Sequence, residues 1–299
     1  MQTLDSKVLR NEREYHMKKI TALLLGTAMV LSLAACGGTT TTSSETTSSS
    51  TEGASSSEAA STSEATAEAA ATELTTVEPG KLTMSTNAAF PPYEMTDDNG
   101  NIVGIDVDVA NAIAEKLGLE LQVDDMDFDA ALLAVQNGKS DIVMAGVTVT
   151  EDRQLVMDFT NSYATGIQVV IVPEDSDIAS LDDMSGKLIG VQRGTTGDIY
   201  CSDDFGEENV IKYDDGLTAV QALNNGQVDC VVIDNAPAQE FVEANPGLKI
   251  LDTEYTNEDY AIGVAKGNTA MLDAVNGALA ELKADGTLQS IVDQYISAE

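Results

Sequence analysis

The sequence predicts an α/β protein of two similar lobes. Two observations carry this: from Lys81 onward short apolar runs alternate with segments of helical spacing, and one ten-residue pattern occurs twice, 88 residues apart. Strands are expected at 81–85, 119–123, 141–144, 169–172, 187–191, 210–213, 229–233, 248–251 and 260–265. Helices are expected at 107–117, 128–136, 217–224, 236–243, 269–282 and, after Gly286, at 287–295. Such alternation implies parallel sheets covered by helices. The repeat pairs AVQNGKSDIV (134–143) with ALNNGQVDCV (222–231), each a helix end, an Asn-Gly turn and a buried strand. Its offset is too long for a solenoid and fits two similar Rossmann-like lobes. In open α/β sheets ligands bind beyond the carboxyl ends of the strands. Following the repeated strands to their ends places Gly146 and Asp234 across a cleft.

The N-terminal third has a different character. Met17-Lys18-Lys19 begins a basic stretch, and 20–35 is an apolar run too short for a comfortable membrane span. With the small residues that follow, this is the pattern of a secretory signal, so 1–35 is expected to be removed and Met17 to be the true start. Leu33-Ala34-Ala35-Cys36 resembles a lipobox, which implies cleavage before Cys36 and a lipid anchor on it. Between 39 and 76, 22 of 38 residues are Ser or Thr, with one Leu the only large apolar side chain. Such a stretch has almost nothing to bury and reads, within 36–79, as a disordered tether between membrane and folded domain.

Composition excludes much chemistry. There are 50 Asp+Glu against 15 Lys+Arg, a net charge of −35, which argues against nucleic acid and against docking on anionic lipid through a basic face. Loss of 1–35 removes five basic and three acidic residues and leaves −37. It also removes His16, the sole histidine, and with it a Ser-His-Asp or Cys-His relay and the commonest zinc ligand. No metal or cofactor is expected.

Two arginines remain beyond residue 35, Arg153 and Arg193. Thr150 followed by Glu151-Asp152-Arg153 reads as a capped helix start, where Arg153 offers a bidentate fork to a carboxylate. In 191–198, VQRGTTGD, a strand passes into a helix through Gly194, Thr195 and Thr196, whose N–H groups suit a small anion, although no phosphate-loop lysine follows. Asp234 can meet an ammonium or cap the next helix. The Asp97–Asn101 stretch fails the EF-hand spacing and reads as an Asn99-Gly100 hairpin turn. Cys201 and Cys230 are either a disulfide, which export permits, or two small buried apolar residues.

Taken together, these blocks resemble the family 3 extracellular solute-binding proteins, receptors of amino-acid ABC importers. The likeness runs from about Lys81 to Tyr295. It rests on Gly104-Ile105-Asp106-Val107-Asp108, on Ala145-Gly146 with Thr148, Thr150, Arg153 and Asp158-Phe159, on Gln192 with Gly194-Thr195-Thr196, and on Asn225-Gly226, Asp229 and Asp234. The resemblance implies the type II periplasmic-binding-protein fold, with lobe 1 at 80–168 plus 257–299, lobe 2 at 169–256, and the ligand in a hinged cleft. It implies that Arg153, Thr148 and the Thr195-Thr196 backbone hold a ligand carboxylate, and Gly146 with Asp234 the ammonium. Phe90 and Phe128 would flank the ligand side chain, with Asn87, Ala145 and Gln192 lining the pocket. A monomer delivering a free amino acid to a membrane permease is then expected, without catalysis. Two rivals share the fold: a prephenate- or arogenate-type dehydratase, for which Glu94 is the candidate acid, and a sensor acting through a membrane partner. Asn87, where basic-ligand binders resemble one another in having aspartate, points to a neutral polar ligand such as cystine or glutamine. Arg193, where the family usually has an uncharged residue, is expected to be a solvated charge.

Overall fold

β1 (Lys81–Thr86) is buried at every position after its first, as a strand covered on both faces requires. The computed structural model to which it belongs describes residues 74–296; the signal segment, Cys36 and most of the 36–79 tether lie outside the described residues. A small meander follows, β2 (Ala89–Phe90), β3 (Glu94–Thr96) and β4 (Ile102–Val103). Its last turn is the expected hairpin: Asp97 Oδ1 accepts from the Asn99 and Asn101 amides.

The chain then alternates: α1 (Ile105–Leu117), β5 (Glu120–Asp125), α2 (Phe128–Gln136), β6 (Ile142–Val143), α3 (Glu151–Val156), β7 (Met157–Phe159) and β8 (Ala164–Pro173). A second run comprises β9 (Ile189–Gln192), α4 (Thr196–Phe205), β10 (Val210–Tyr213), α5 (Gly216–Asn224), β11 (Cys230–Asp234), α6 (Asn235–Ala244) and β12 (Leu248–Ile250). β13 (Thr256–Tyr260), β14 (Gly263–Ala265), α7 (Thr269–Ala284) and α8 (Thr287–Tyr295) close it. Met271, Val275, Leu279 and Leu282 keep one face of α7 buried at helical spacing.

Two sheets result, ordered β5-β1-β6-β14-β7 and β10-β9-β11-β8-β12, with β13 also on β8. In each, the first strand of a β-α-β-α-β run lies between the other two in parallel, and the next neighbour, β14 or β8, is antiparallel. The sequence repeat is thus a repeat of structure, down to its hydrogen bonds. Gly138 donates to Val135 and Lys139 to Ala134; 88 residues on, Gly226 donates to Leu223 and Gln227 to Ala222. Both turn glycines have positive φ, 64° and 66°, which an L side chain resists.

The chain passes between the sheets twice, after β7 and after β13, and β8 and β13 pair along their length from Thr256↔Gln168 to Tyr260↔Ala164. The lobe boundaries expected at 168/169 and 256/257 cut inside β8 and β13, both strands of the second sheet, and the two crossings lie outside them. The single strand expected at 260–265 is two: Tyr260 ends β13 in the second sheet and Gly263 begins β14 in the first. An unbroken apolar run hides the crossing, because both parts are buried. Cys201 and Cys230 are free and fully buried, so the disulfide is not formed; burial pushes both thiols up, Cys230 to about 12.

Candidate ligand-binding site

The strand ends of the two sheets border a cleft with about 320 Å³ of empty space, part of it open to solvent. All eleven residues expected at a ligand, from Asn87 to Asp234, line it, and Glu94 is the twelfth.

On the first lobe, the chain leaving β6 supplies Ala145, Gly146 and Thr148. Gly146 has φ 54°, and a Cβ there would stand 2.7 Å from Phe90 Cε1. The Phe90 ring therefore closes that wall only because this position is glycine. Phe90 in turn stacks on Tyr93 at 5.8 Å. Thr150 caps α3 as expected, accepting from the Arg153 amide, and so fixes the helix that carries Arg153. The guanidinium is buried, lies 5.3 Å from the centre of the Phe128 ring, and donates from Nη1 to the Thr148 carbonyl and from Nη2 to the Gly194 carbonyl. Of its five donors, three remain for a carboxylate.

On the second lobe, Gln192 ends β9 and Thr195 caps α4. Gly194 between them has φ 75°, and a Cβ would stand 1.8 Å from Asp129 Oδ1 of the first lobe, so glycine permits this close approach. Gln192 Nε2 donates to Asn87 Oδ1 across the cleft at 2.9 Å. Asp234 occupies the N-cap position of α6 but makes no cap bond; its carboxylate accepts from the Tyr260 hydroxyl instead. Of the two readings of this residue, its side chain takes the cavity. Arg193 is half exposed and lies near Asp214 at 3.5 Å, on the surface as expected.

The electrostatics of the cleft are strongly acidic. Glu94 has no exposed surface, and neither of its oxygens has an N–H or O–H donor. Burial, then the charge and hydrogen bond of the neighbouring Asp106 carboxyl, then the charge of Asp234, holds its carboxyl well above the ordinary range. Asp106, buried under the Tyr163 hydroxyl and the Gly146 amide, is pushed up to about 6 by burial. Asp234 is pushed up to about 7, by burial and then by Glu258. Glu258 is buried and accepts from Thr148 Oγ1, Gln168 Nε2 and Thr196 Oγ1. Four buried carboxyl groups thus meet one buried guanidinium. Two of them, Glu94 and Asp234, line the cavity with Arg153, so the site has one attachment for a carboxylate and two for positive charge.

Residues 82–298 match the bacterial extracellular solute-binding proteins, family 3. The chain belongs to that family. Among curated members it is 35% identical over 228 residues to a probable histidine-binding protein of Neisseria gonorrhoeae, covering 74% of this chain and 85% of that one. It is 34% identical over 220 residues to ABC transporter arginine-binding protein 1 of Escherichia coli, covering 72% and 90%. Among solved structures, an ancestral arginine-binding protein bound to glutamine superposes with a TM-score of 0.71 at 41% identity, over 74% of this chain and all of that one. A mutant of the T. maritima arginine-binding protein gives 0.70 at 40%, over 73% and 96%. The type II binding fold is common to this family member and its neighbours.

Residue types near the family motifs exposed Arg153 and Asp234 in the sequence. Nothing comparable pointed to Glu258, Gln168 or Tyr260 as neighbours of the site. Glu258 is one acid among fifty, and its partners lie 62 to 110 residues away in the chain.

Proposed function

We propose that this protein is the substrate-binding component of an ABC importer, capturing a free amino acid with a cationic side chain, arginine foremost, and delivering it to a membrane permease. Glu94 carries this reading: a fully buried carboxyl with no N–H or O–H donor on either oxygen lines the cavity, next to the Asp106 carboxyl, and so adds acid to the site that Arg153 and Asp234 already share. Arg153 takes the ligand carboxylate with the Thr195-Thr196 backbone. Asp234 and the Gly146 carbonyl take the α-ammonium. Glu94, paired with Phe90 across β2 and β3, takes the distal cation, which draws its proton off. This replaces the neutral polar ligand suggested by Asn87: in the fold Asn87 is occupied by Gln192 and the Met126 carbonyl, and the acid enters from a different position. The arginine- and histidine-binding relatives support the same choice.

The remaining parts follow from the same reading: a signal at 1–35, a lipid on Cys36, a tether to 79, lobes at 80–168 with 257–299 and at 169–256, and a monomer that releases its ligand unchanged. Isothermal titration against arginine, lysine, histidine, glutamine, glutamate and cystine tests the ligand. Arginine should bind tightest. Tight binding of glutamine or cystine with none of arginine overturns the cationic assignment. Incubation with prephenate or arogenate should yield no product.

A further inference from the structure

Glu258 stands outside the cavity wall, yet one of its oxygens, Oε2, accepts three hydrogen bonds from three parts of the fold. Thr148 Oγ1, at 3.1 Å, belongs to the first lobe beyond β6. Thr196 Oγ1, at 3.0 Å, opens α4 of the second lobe. Gln168 Nε2, at 3.0 Å, comes from β8, the hinge strand paired with Glu258's own strand. Thr148 is tied to that strand through its neighbours, with the Val149 amide on Asp259 and the Ala261 amide on Val147. Separating the lobes must therefore break either the Thr148 or the Thr196 link.

We propose that Glu258 is a positioning residue, an interlobe latch that fixes the open–closed equilibrium of the cleft without touching the ligand. Its effect is electrostatic as well as geometric. A carboxylate at the first turn of α4 meets the favourable end of that helix, and it is a fixed counter-charge near Arg153. Holding both threonine hydroxyls, it leaves the carboxylate of a ligand to the guanidinium and the backbone amides. A bridge that forms only on closure makes the closed cleft longer-lived for every ligand alike, so its contribution lies in the dissociation rate rather than in selectivity.

The proposal rests on hinge closure around an amino acid, and one arm of its test needs no ligand. Residual dipolar couplings of the backbone amides, measured on the full chain without amino acid, report the mean interlobe orientation. Glu258→Ala should widen it relative to wild type. Stopped-flow dissociation of arginine and of lysine should each accelerate about tenfold, with their ratio unchanged, as expected for losing a hydrogen bond to a charged acceptor. Glu258→Gln, whose amide oxygen still accepts, should stay within about threefold of wild type. Unchanged couplings and rates in Glu258→Ala, or a lowered melting temperature alone, overturn the latch; failure of Glu258→Gln to rescue overturns its hydrogen-bonded form. Should Glu258→Ala fail to fold, Thr196→Val cuts one strap and carries the same expectations and the same refutation. If arginine does not bind the wild type, the ligand reading fails while the couplings still decide the latch.

Discussion

The two lobes begin as copies and end as opposites. Up to the repeated strand they agree in detail: the same helix, the same Asn-Gly turn, and an aspartate just before the strand whose carboxylate accepts from a backbone amide in or next to the first strand of its β-α-β-α-β run, Asp141 from Thr83 in β1 and Asp229 from Leu188 just before β9. One residue past the shared pattern they part. The first lobe continues through Ala145 to Gly146, which contributes only backbone and is kept small by Phe90, and then to Arg153. The second continues to Asp234, a carboxylate held by Tyr260. The repeat places two strand ends at a common cleft; the residues beyond them differ in charge, Arg153 in one lobe and Asp234 in the other. A zwitterion is matched by a pair of lobes of this kind, because each can carry one fixed charge buried in its own hydrogen-bonded frame.

The comparison can be broken at either end. Arg153→Ala removes the first lobe's charge and strands a ligand carboxylate in a dry cleft. Affinity for every amino acid should fall by at least about 2 kcal/mol, roughly thirtyfold, and unchanged titration isotherms would refute the carboxylate assignment. Glu94→Gln tests the acidic excess instead. Arginine should lose about tenfold while glutamine is held as well as before or better, so that the ratio of the two constants is the decisive quantity.

Acid should act on both lobes. Asp234 is raised to about 7 and Asp106 to about 6, both well above a free carboxyl. The folded protein therefore holds more protons than the unfolded chain between about pH 4 and 7, and the contribution of these groups to stability falls as pH rises through that window. A bound ammonium selects the ionised form, so ligand binding must release protons there. Arginine affinity should decline by up to about tenfold per pH unit below 7 for each group involved. Calorimetry in buffers of different ionisation enthalpy would count the protons, and Asp234→Asn should lower the count. The smallest effect should come from Arg193→Ala: the side chain is half exposed, with Asp214 its nearest acid, so affinity and stability should change by less than about 0.5 kcal/mol. A large loss of arginine binding in that variant would return Arg193 to the cleft.

Much of this protein was determined within short stretches of sequence. Strand and helix periods, the Asn-Gly turns and the Thr150 cap are local signals, each set by residues a few positions apart, and the repeat shows the same local pattern twice. They sufficed for the two-lobed α/β fold; the eleven residues that line one cavity came only with the resemblance to the solute-binding family. The tertiary structure decided what depends on packing between distant segments. It split the apolar stretch at 260–265 between two sheets, left Cys201 and Cys230 unpaired, turned Arg193 outward and buried Glu94. Glu258 shows why such outcomes are not written locally. An acid is like any other of the fifty until hydroxyls 62 and 110 residues away close on it, and burial in that company, not residue type, gives a carboxylate its role.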